Sequence, residues 1–411
     1  MTPTNWHDQK LYKAISALGM LFATFLMVSL VKVLSALGSD EIRPLASPAA
    51  DSPFGWRQSN ESGFGEAANS NIGALGVLNG TMVAGTWNEN GAQVWRTTDG
   101  KTWQDFTPSW TISNTEVYYA KPFRSYLYLG VGNLSGGEIW RTDGTNWEQV
   151  ASSGLGDANN LGFFSAAVFK DELYTASGNL PPSIGGSGNG LEVWKSASGA
   201  SGTWQQVNTD GFGRGATWLE STLEVFHDKL YVGLSRVVDN TGATAELWQT
   251  EDGLHWTAVF TDSLGNPNNT YISAMAVHKG WFYIGFRNVQ SGGQLWRSEN
   301  GTDWEVVFDD GLGNPKNGRL YGLLPYGDQL ILVFSNYETG VQVWQSPDGL
   351  SWSPINEAGW GNPDFKIADY FDNAAVVFQN SLYIGASNPN SGGVIWQRLH
   401  LLFLPAILRN P

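Results

Sequence analysis

Past residue 54 the chain alternates between apolar and polar positions in short runs, each closed by glycine or a polar turn. Tyr126-Leu-Tyr-Leu-Gly130, Lys229-Leu-Tyr-Val-Gly233, Trp281-Phe-Tyr-Ile-Gly285 and Ser381-Leu-Tyr-Ile-Gly385 are copies of one such run. A period of two predicts half-buried strands, because successive side chains then point to opposite faces. Another apolar strand precedes each copy, as in Ile272 to His278 or Ala374 to Phe378, and is expected to lie innermost, next to an axis. A third follows, built on an apolar residue, Trp, then Arg, Lys or Gln. That motif occurs seven times, at Trp95, Trp140, Trp194, Trp248, Trp296, Trp344 and Trp396, at spacings of 45 to 54 residues. The period suits one four-stranded blade of a β-propeller. Turns such as Glu251-Asp-Gly253 and Pro347-Asp-Gly349 come next and are strong hairpin signals. A fourth strand then opens on Trp103, Trp147, Trp204, Trp256, Trp304 or Trp352.

Six fourth strands serve seven units, and the missing one is at the other end of the chain. Trp56-Arg-Gln-Ser-Asn-Glu-Ser-Gly-Phe-Gly65 matches Trp204-Gln-Gln-Val-Asn-Thr-Asp-Gly-Phe-Gly213, whereas Asp372 to Leu399 lacks a fourth strand. Pairing the two would close the ring and cover an open edge. The expected fold class is therefore all-β, a seven-bladed propeller over residues 54–399 closed by an N-terminal outer strand.

Composition adds the cellular setting. Residues 14–31 are uncharged and mostly apolar, preceded by Lys10 and Lys13 and closed by Lys32. Eighteen helical residues rise about 27 Å, near the thickness of a hydrocarbon core. The lysines favour an anchor that keeps residues 1–13 in the cytoplasm and exports the rest. Cleavage of a signal after Ala36-Leu37-Gly38 is the alternative. Residues 39–53 read as a linker, and residues 400–411 as an apolar tail too short to span. The formal net charge of −15 argues against nucleic acid as a partner. The absence of cysteine rules out disulfides and thiolate chemistry, and the five histidines have no ligand spacing, so neither a metal nor another cofactor is expected.

Thr97-Thr-Asp-Gly-Lys-Thr-Trp103 and Ser346-Pro-Asp-Gly-Leu-Ser-Trp352 resemble the Asp-box, or bacterial neuraminidase repeat, in a form one residue shorter between Asp and Trp. The resemblance implies a propeller fold in which these turns serve structure on the face away from the ligand. It implies no activity. Sialidases of that family have six blades, and their Phe/Tyr-Arg-Ile-Pro motif is absent here.

Loops entering each inner strand, and loops between second and third strands, should share the opposite face, where propellers usually bind. The recurrent Gly-Leu-Gly-Asn-Pro loops read as turn geometry, and Glu138, Glu192 and Glu246 share a column with Gln93, Gln294 and Gln342, which predicts a repeated hydrogen-bonding role. Residues that do not repeat carry more information. Aligned inner strands place Asn71, Glu116, Tyr271 and Arg319 in one column, Tyr118 and Tyr321 two positions on, and Glu220 and Asp372 between. Arg236 and Arg287 end second strands on the same side and, with Arg319, would suit a carboxylate or sulfate. These ten residues are the candidate ligand-binding set at the mouth of the channel.

Three functions follow as expectations. The first is an exported surface module that binds a glycan or protein on its loop face. The second is a glycoside hydrolase using two of Glu116, Glu220 and Asp372, whose separation sets the stereochemistry. The third is an assembly scaffold at the membrane.

Overall fold

The computed structural model describes residues 54–179, 188–238, 242–336, 338–366 and 374–399. Within them the chain is all-β, with strands joined by turns and short 3-10 segments. The expected anchor, the linker, the C-terminal tail and Asp372 lie outside the described residues, and among those described no helix is long and apolar enough to cross a membrane.

One sheet shows the pattern. The inner strand Asn160–Phe169 pairs antiparallel with Glu172–Asn179, that with Val193–Ser196, and that with the short outer strand Gln205–Gln206. Thr217–Phe226, Lys229–Val237, Ala243–Thr250 and Thr257–Phe260 repeat it. In the last sheet Ala375–Phe378, Ser381–Ala386 and Val394–Arg398 are completed by Trp56–Gln58 from the other end of the chain, with Trp56 opposite Arg398 and Gln58 opposite Trp396. The remaining strands form two eight-stranded sheets, each made of two such halves joined at a single residue pair, Trp87 with Glu116 and Arg287 with Arg319. Successive inner strands pack on one another, and the last sheet lies against Asn71–Leu78 of the first. The molecule is thus a curled, propeller-like array.

Its core is distributed between neighbouring sheets. Leu230, Val232 and Leu234 of one sheet, for example, bury against Tyr174, Ala176 and Val193 of the previous one. Two devices repeat at these seams. In the first, a tyrosine in the second strand packs on the turn glycine of the next sheet: Tyr128 on Gly199, Tyr174 on Gly253, Tyr231 on Gly301, Tyr283 on Gly349, and Tyr383 on Gly100. Each of these glycines has φ between +67° and +80°, and a Cβ there would fall on the tyrosine hydroxyl. The Tyr383 contact joins the last sheet to the first.

The second device explains the repeated tryptophan. In each Gly-x-Gly loop, and in Ser263-Leu264-Gly265, the middle residue is held at positive φ, as at Phe64 (55°), Leu155 (60°), Phe212 (55°), Leu264 (53°), Leu312 (56°) and Trp360 (49°). Phe64 stacks on Trp95 at 4.6 Å, Phe212 on Trp248 at 4.5 Å and Trp360 on Trp396 at 4.8 Å. A left-handed backbone costs about 1–2 kcal/mol. Burying an apolar side chain returns about 1.5–3 kcal/mol and the aromatic pair about 0.5–1.5 kcal/mol more, so the strained conformation is retained. Turn geometry does account for these loops, as the sequence indicates.

Candidate functional site

Strand polarity divides the molecule into two faces. The third strands run into Asp-Gly, Asn-Gly or Ser-Gly turns on one face, where the inner hairpins also lie. Loops entering the inner strands and loops between second and third strands occupy the other.

On the turn face Asp99 Oδ1 accepts the backbone N–H groups of Lys101 (2.8 Å) and Thr102 (2.7 Å), and Thr97 Oγ1 accepts that of Gly100 (2.9 Å). These hydrogen bonds hold the Asp99 carboxyl well below its usual range, and the equivalent bonds take Asp348 down to about 2. Such carboxylates are acceptors locked in a turn and have no free valence for chemistry.

On the loop face a polar network repeats under most third-strand tryptophans. Asn88 Nδ2 donates to Asn69 Oδ1 (2.9 Å), Asn69 Nδ2 donates to Gln93 Oε1 (2.6 Å), and Trp95 Nε1 donates to the same Gln93 oxygen (3.1 Å). Asn133, Asn114, Glu138 and Trp140 repeat it, as do Asn288, Asn269, Gln294 and Trp296. Glu138 and Glu192 are therefore acceptors in this network, as the column they share with glutamine predicts.

The network is altered at Trp396, where Val394 replaces the acceptor and Nε1 is buried without a partner, and at Trp248, where the change corrects the reading of Arg236. Thr217 stands where the other loops carry asparagine, and Arg236 stands where the others carry Asn88, Asn133 or Asn288. Its Nε donates to Glu246 Oε1 at 3.1 Å and its Nη2 to Glu246 Oε2 at 3.0 Å and to the Gly211 carbonyl at 2.8 Å, while Nη1 donates to the Gly215 carbonyl. Glu246 is fully buried, so this bidentate pair replaces the missing amide within the scaffold. Arg236 does not join Arg287 and Arg319 at the mouth.

Most of the other candidates fall into two groups at the loop-face ends of the inner strands. In the first, Asn71 Nδ2 approaches Glu116 Oε1 at 3.5 Å, and Tyr118 also hydrogen-bonds that carboxyl. Burial pushes Glu116 up to about 8, against the opposing effect of these two donors, so it is a neutral acid at pH 7. Asn71 Oδ1 is buried beside it without a partner, an acceptor that the protonated acid can satisfy after an amide flip. Tyr118 is half-buried and stacks on Phe164, a residue the sequence reading passed over, with ring centroids 4.2 Å apart. Gly132 and Gly162 make room for the Tyr118 ring. The signal for Phe164 was available, since it occupies the column of Tyr118 and Tyr321.

The second group is cationic and aromatic. The Arg319 guanidinium lies 4.8 Å from the Tyr271 ring and 5.2 Å from the Tyr321 ring, and that of Arg287 lies 5.8 Å from Tyr271. Arg287 and Arg319 are adjacent because they form the one residue pair joining their two sheet halves. Tyr271 between them offsets part of the repulsion of two like charges. Of Glu220 the structure describes the backbone alone, within Thr217–Phe226. Among the described residues no group of three or more His, Asp or Glu is placed to hold a metal ion.

No protein-family model matches the chain, and no curated protein does. Solved structures are similar to it in fold. They include a catalytically inactive virginiamycin B lyase from Staphylococcus aureus with quinupristin, at TM-score 0.55 and 8% identity over 84% of this chain and 99% of that one. A puromycin hydrolase (TM-score 0.53, 10% identity, 85% of this chain and 55% of that one) and a polysaccharide lyase (TM-score 0.51, 10% identity, 87% and 95%) are also similar. At these identities the likeness extends to the fold, which places the chain among propeller-like all-β proteins.

Proposed function

We propose that the chain is an exported, seven-bladed propeller of variant Asp-box type that binds a carbohydrate across its loop face, at the mouth of the central channel. The blade count is supported by the four-stranded repeat, by the single-pair joins within the eight-stranded sheets, and by the Tyr383 contact with Gly100. An experimental map with six or eight blades would overturn it. Export and anchoring rest on the apolar run at 14–31 and its flanking lysines.

One observation carries the ligand class. A neutral acid and an amide beside the Tyr118–Phe164 stack, and two arginines held by Tyr271 and Tyr321, lie at the loop-face ends of their strands. Aromatic faces suit sugar rings, neutral planar polar groups suit their hydroxyls, and paired arginines suit a carboxylate, so an acidic sugar fits best.

Calorimetric titration of the full chain with neutral and uronate-bearing oligosaccharides tests this. Arg319→Met is expected to weaken uronate binding by about 1.5–3 kcal/mol, the value of a charge-assisted hydrogen bond, with little effect on neutral sugars. Binding should also weaken as the pH rises through about 8, where Glu116 ionises and ceases to donate, and Glu116→Gln should remove that dependence. No binding of any oligosaccharide, or equal binding by folded Arg319→Met, sinks the proposal.

The raised pKa of Glu116 supports a second reading, a glycoside hydrolase with Glu116 as general acid. Measurable turnover that falls about 10²–10⁴-fold in Glu116→Gln would establish it over simple binding.

A further inference from the structure

Farther along the inner strands, toward the turn face, residues of five of these strands line a cavity of about 150 Å³. Short side chains at this level, Ala120, Ala166 and Ala274, leave the space open. Its walls differ in chemistry. Met275 and Leu323 make one side apolar, whereas Lys121, Ser165, Thr222 and Glu224 face it from the other. A water needs roughly 10–15 Å³ of such space, so the cavity holds several waters or one molecule of a few heavy atoms.

Lys121 and Glu224 set its electrostatics. Burial raises the Glu224 pKa, and the Val225 N–H (2.8 Å to Oε1) and the charge of Lys121 offset only part of that rise. The two are close enough to feel each other, yet among the described residues neither forms an ion pair within 4.0 Å. A carboxyl group and an ammonium thus stand on one cavity wall with a gap between them. Ala167, at the equivalent position of the intervening inner strand, is too short to fill it.

We propose that this cavity binds a small zwitterion, a free α-amino acid of about the size of alanine. Its ammonium meets Glu224, its carboxylate meets Lys121, the hydroxyls of Ser165 and Thr222 complete the polar side, and its side chain lies toward Met275 and Leu323. Other occupants fit less well. A metal cation would be repelled by Lys121 and has a single carboxylate to bind. A simple anion leaves Glu224 facing it, and a simple cation leaves Lys121, each an uncompensated charge. Water alone would wet Met275 and Leu323.

Calorimetry on the full chain with L-alanine, acetate and methylammonium decides the matter. The expected result is one alanine per chain, with acetate and methylammonium each at least about tenfold weaker. Glu224→Gln and Lys121→Met should each weaken alanine binding at least about tenfold, since each leaves one end of the ligand unpaired. Ala166→Leu, which fills the space and keeps both charges, should abolish binding in a protein whose circular dichroism is unchanged. The proposal is overturned if the wild-type chain takes up no alanine, if acetate or methylammonium binds as tightly, or if folded Lys121→Met or Ala166→Leu binds as the wild type does.

Discussion

At the scale of single residues, the molecule repeats a few contacts that leave no room for variation. The hydroxyl of Tyr231 is buried without a partner, and Gly301 of the next sheet sits against it at φ +80°. Gly301→Ala is expected to destabilise by about 2–4 kcal/mol, from a strained φ and a steric clash together. Tyr231→Phe removes an unsatisfied hydroxyl and should be close to neutral. Combined, the two should cost less than Gly301→Ala alone, because the worst contact is removed while a 2.8 Å approach to the ring Cζ and the backbone strain remain; denaturant unfolding of the four proteins measures this coupling. The turn carboxylates make a second residue-scale prediction. The Asp348 pKa falls from 3.8 to about 2 on folding, so its stabilising contribution is present above about pH 4 and is lost as the pH falls through about 2. Asn300 already performs the same role in another turn, accepting the N–H groups of Thr302 (2.9 Å) and Asp303 (2.8 Å) through Oδ1. Asp348→Asn should therefore keep the turn and flatten the loss of stability between pH 4 and 2. An acid limb unchanged by the substitution would show that these bonds do not couple to folding.

At the scale of elements, one short strand closes the array. Trp56 is fully buried, its Nε1 donates to the Ile355 carbonyl at 2.6 Å, and its ring meets Trp360 edge-on at 5.6 Å. The strand is only three residues long, but without it Val394–Arg398 becomes an open edge that pairs with other chains. A chain beginning at residue 62 should aggregate or dimerise, and a peptide of residues 54–61 added in trans should restore the monomer; light scattering reads both. A truncated chain that stays monomeric with unchanged stability would refute the role. This closure could be read in the sequence because a strand has a fixed period and the segment at Trp56 matches the one at Trp204 residue for residue at its key positions. The tryptophan repeat was legible for the same reason. Its physical cause was not, since a leucine or phenylalanine between two glycines carries no sign that it is held at positive φ against a tryptophan 31 to 39 residues further on.

At the scale of the whole molecule, strand alignment found which candidate residues meet but not every direction in which side chains point. Glu116, Asn71 and Tyr118 meet as their shared columns suggest, and Arg287 meets Arg319. Arg236 shares their face, yet Glu246 captures it, because alignment reports register and not which neighbour a long side chain reaches. The axial cavity escaped notice because it depends on alanines from separate strands converging at one level. The polarity of the closing sheet has a further consequence. Trp56 begins its strand opposite Arg398, which ends its own, so the chain enters and leaves the array together. Both ends lie on the turn face, where every other third strand runs into its Asp-Gly, Asn-Gly or Ser-Gly turn. If residues 14–31 anchor the protein, as proposed, the linker pulls the turn face toward the bilayer and leaves the loop face, with its mouth, directed away. The chain has no cysteine, so single cysteines report this cleanly. Leu254 and Leu350 are exposed on turns of the one face, and Leu134 and Val289 on loops of the other. In intact membranes a bulky maleimide should label Leu134→Cys and Val289→Cys faster than Leu254→Cys and Leu350→Cys, and the difference should vanish for a chain lacking residues 1–38. Equal rates in the anchored protein would mean that the linker imposes no orientation, and recovery of all the protein in the soluble fraction would replace the anchor with a cleaved signal.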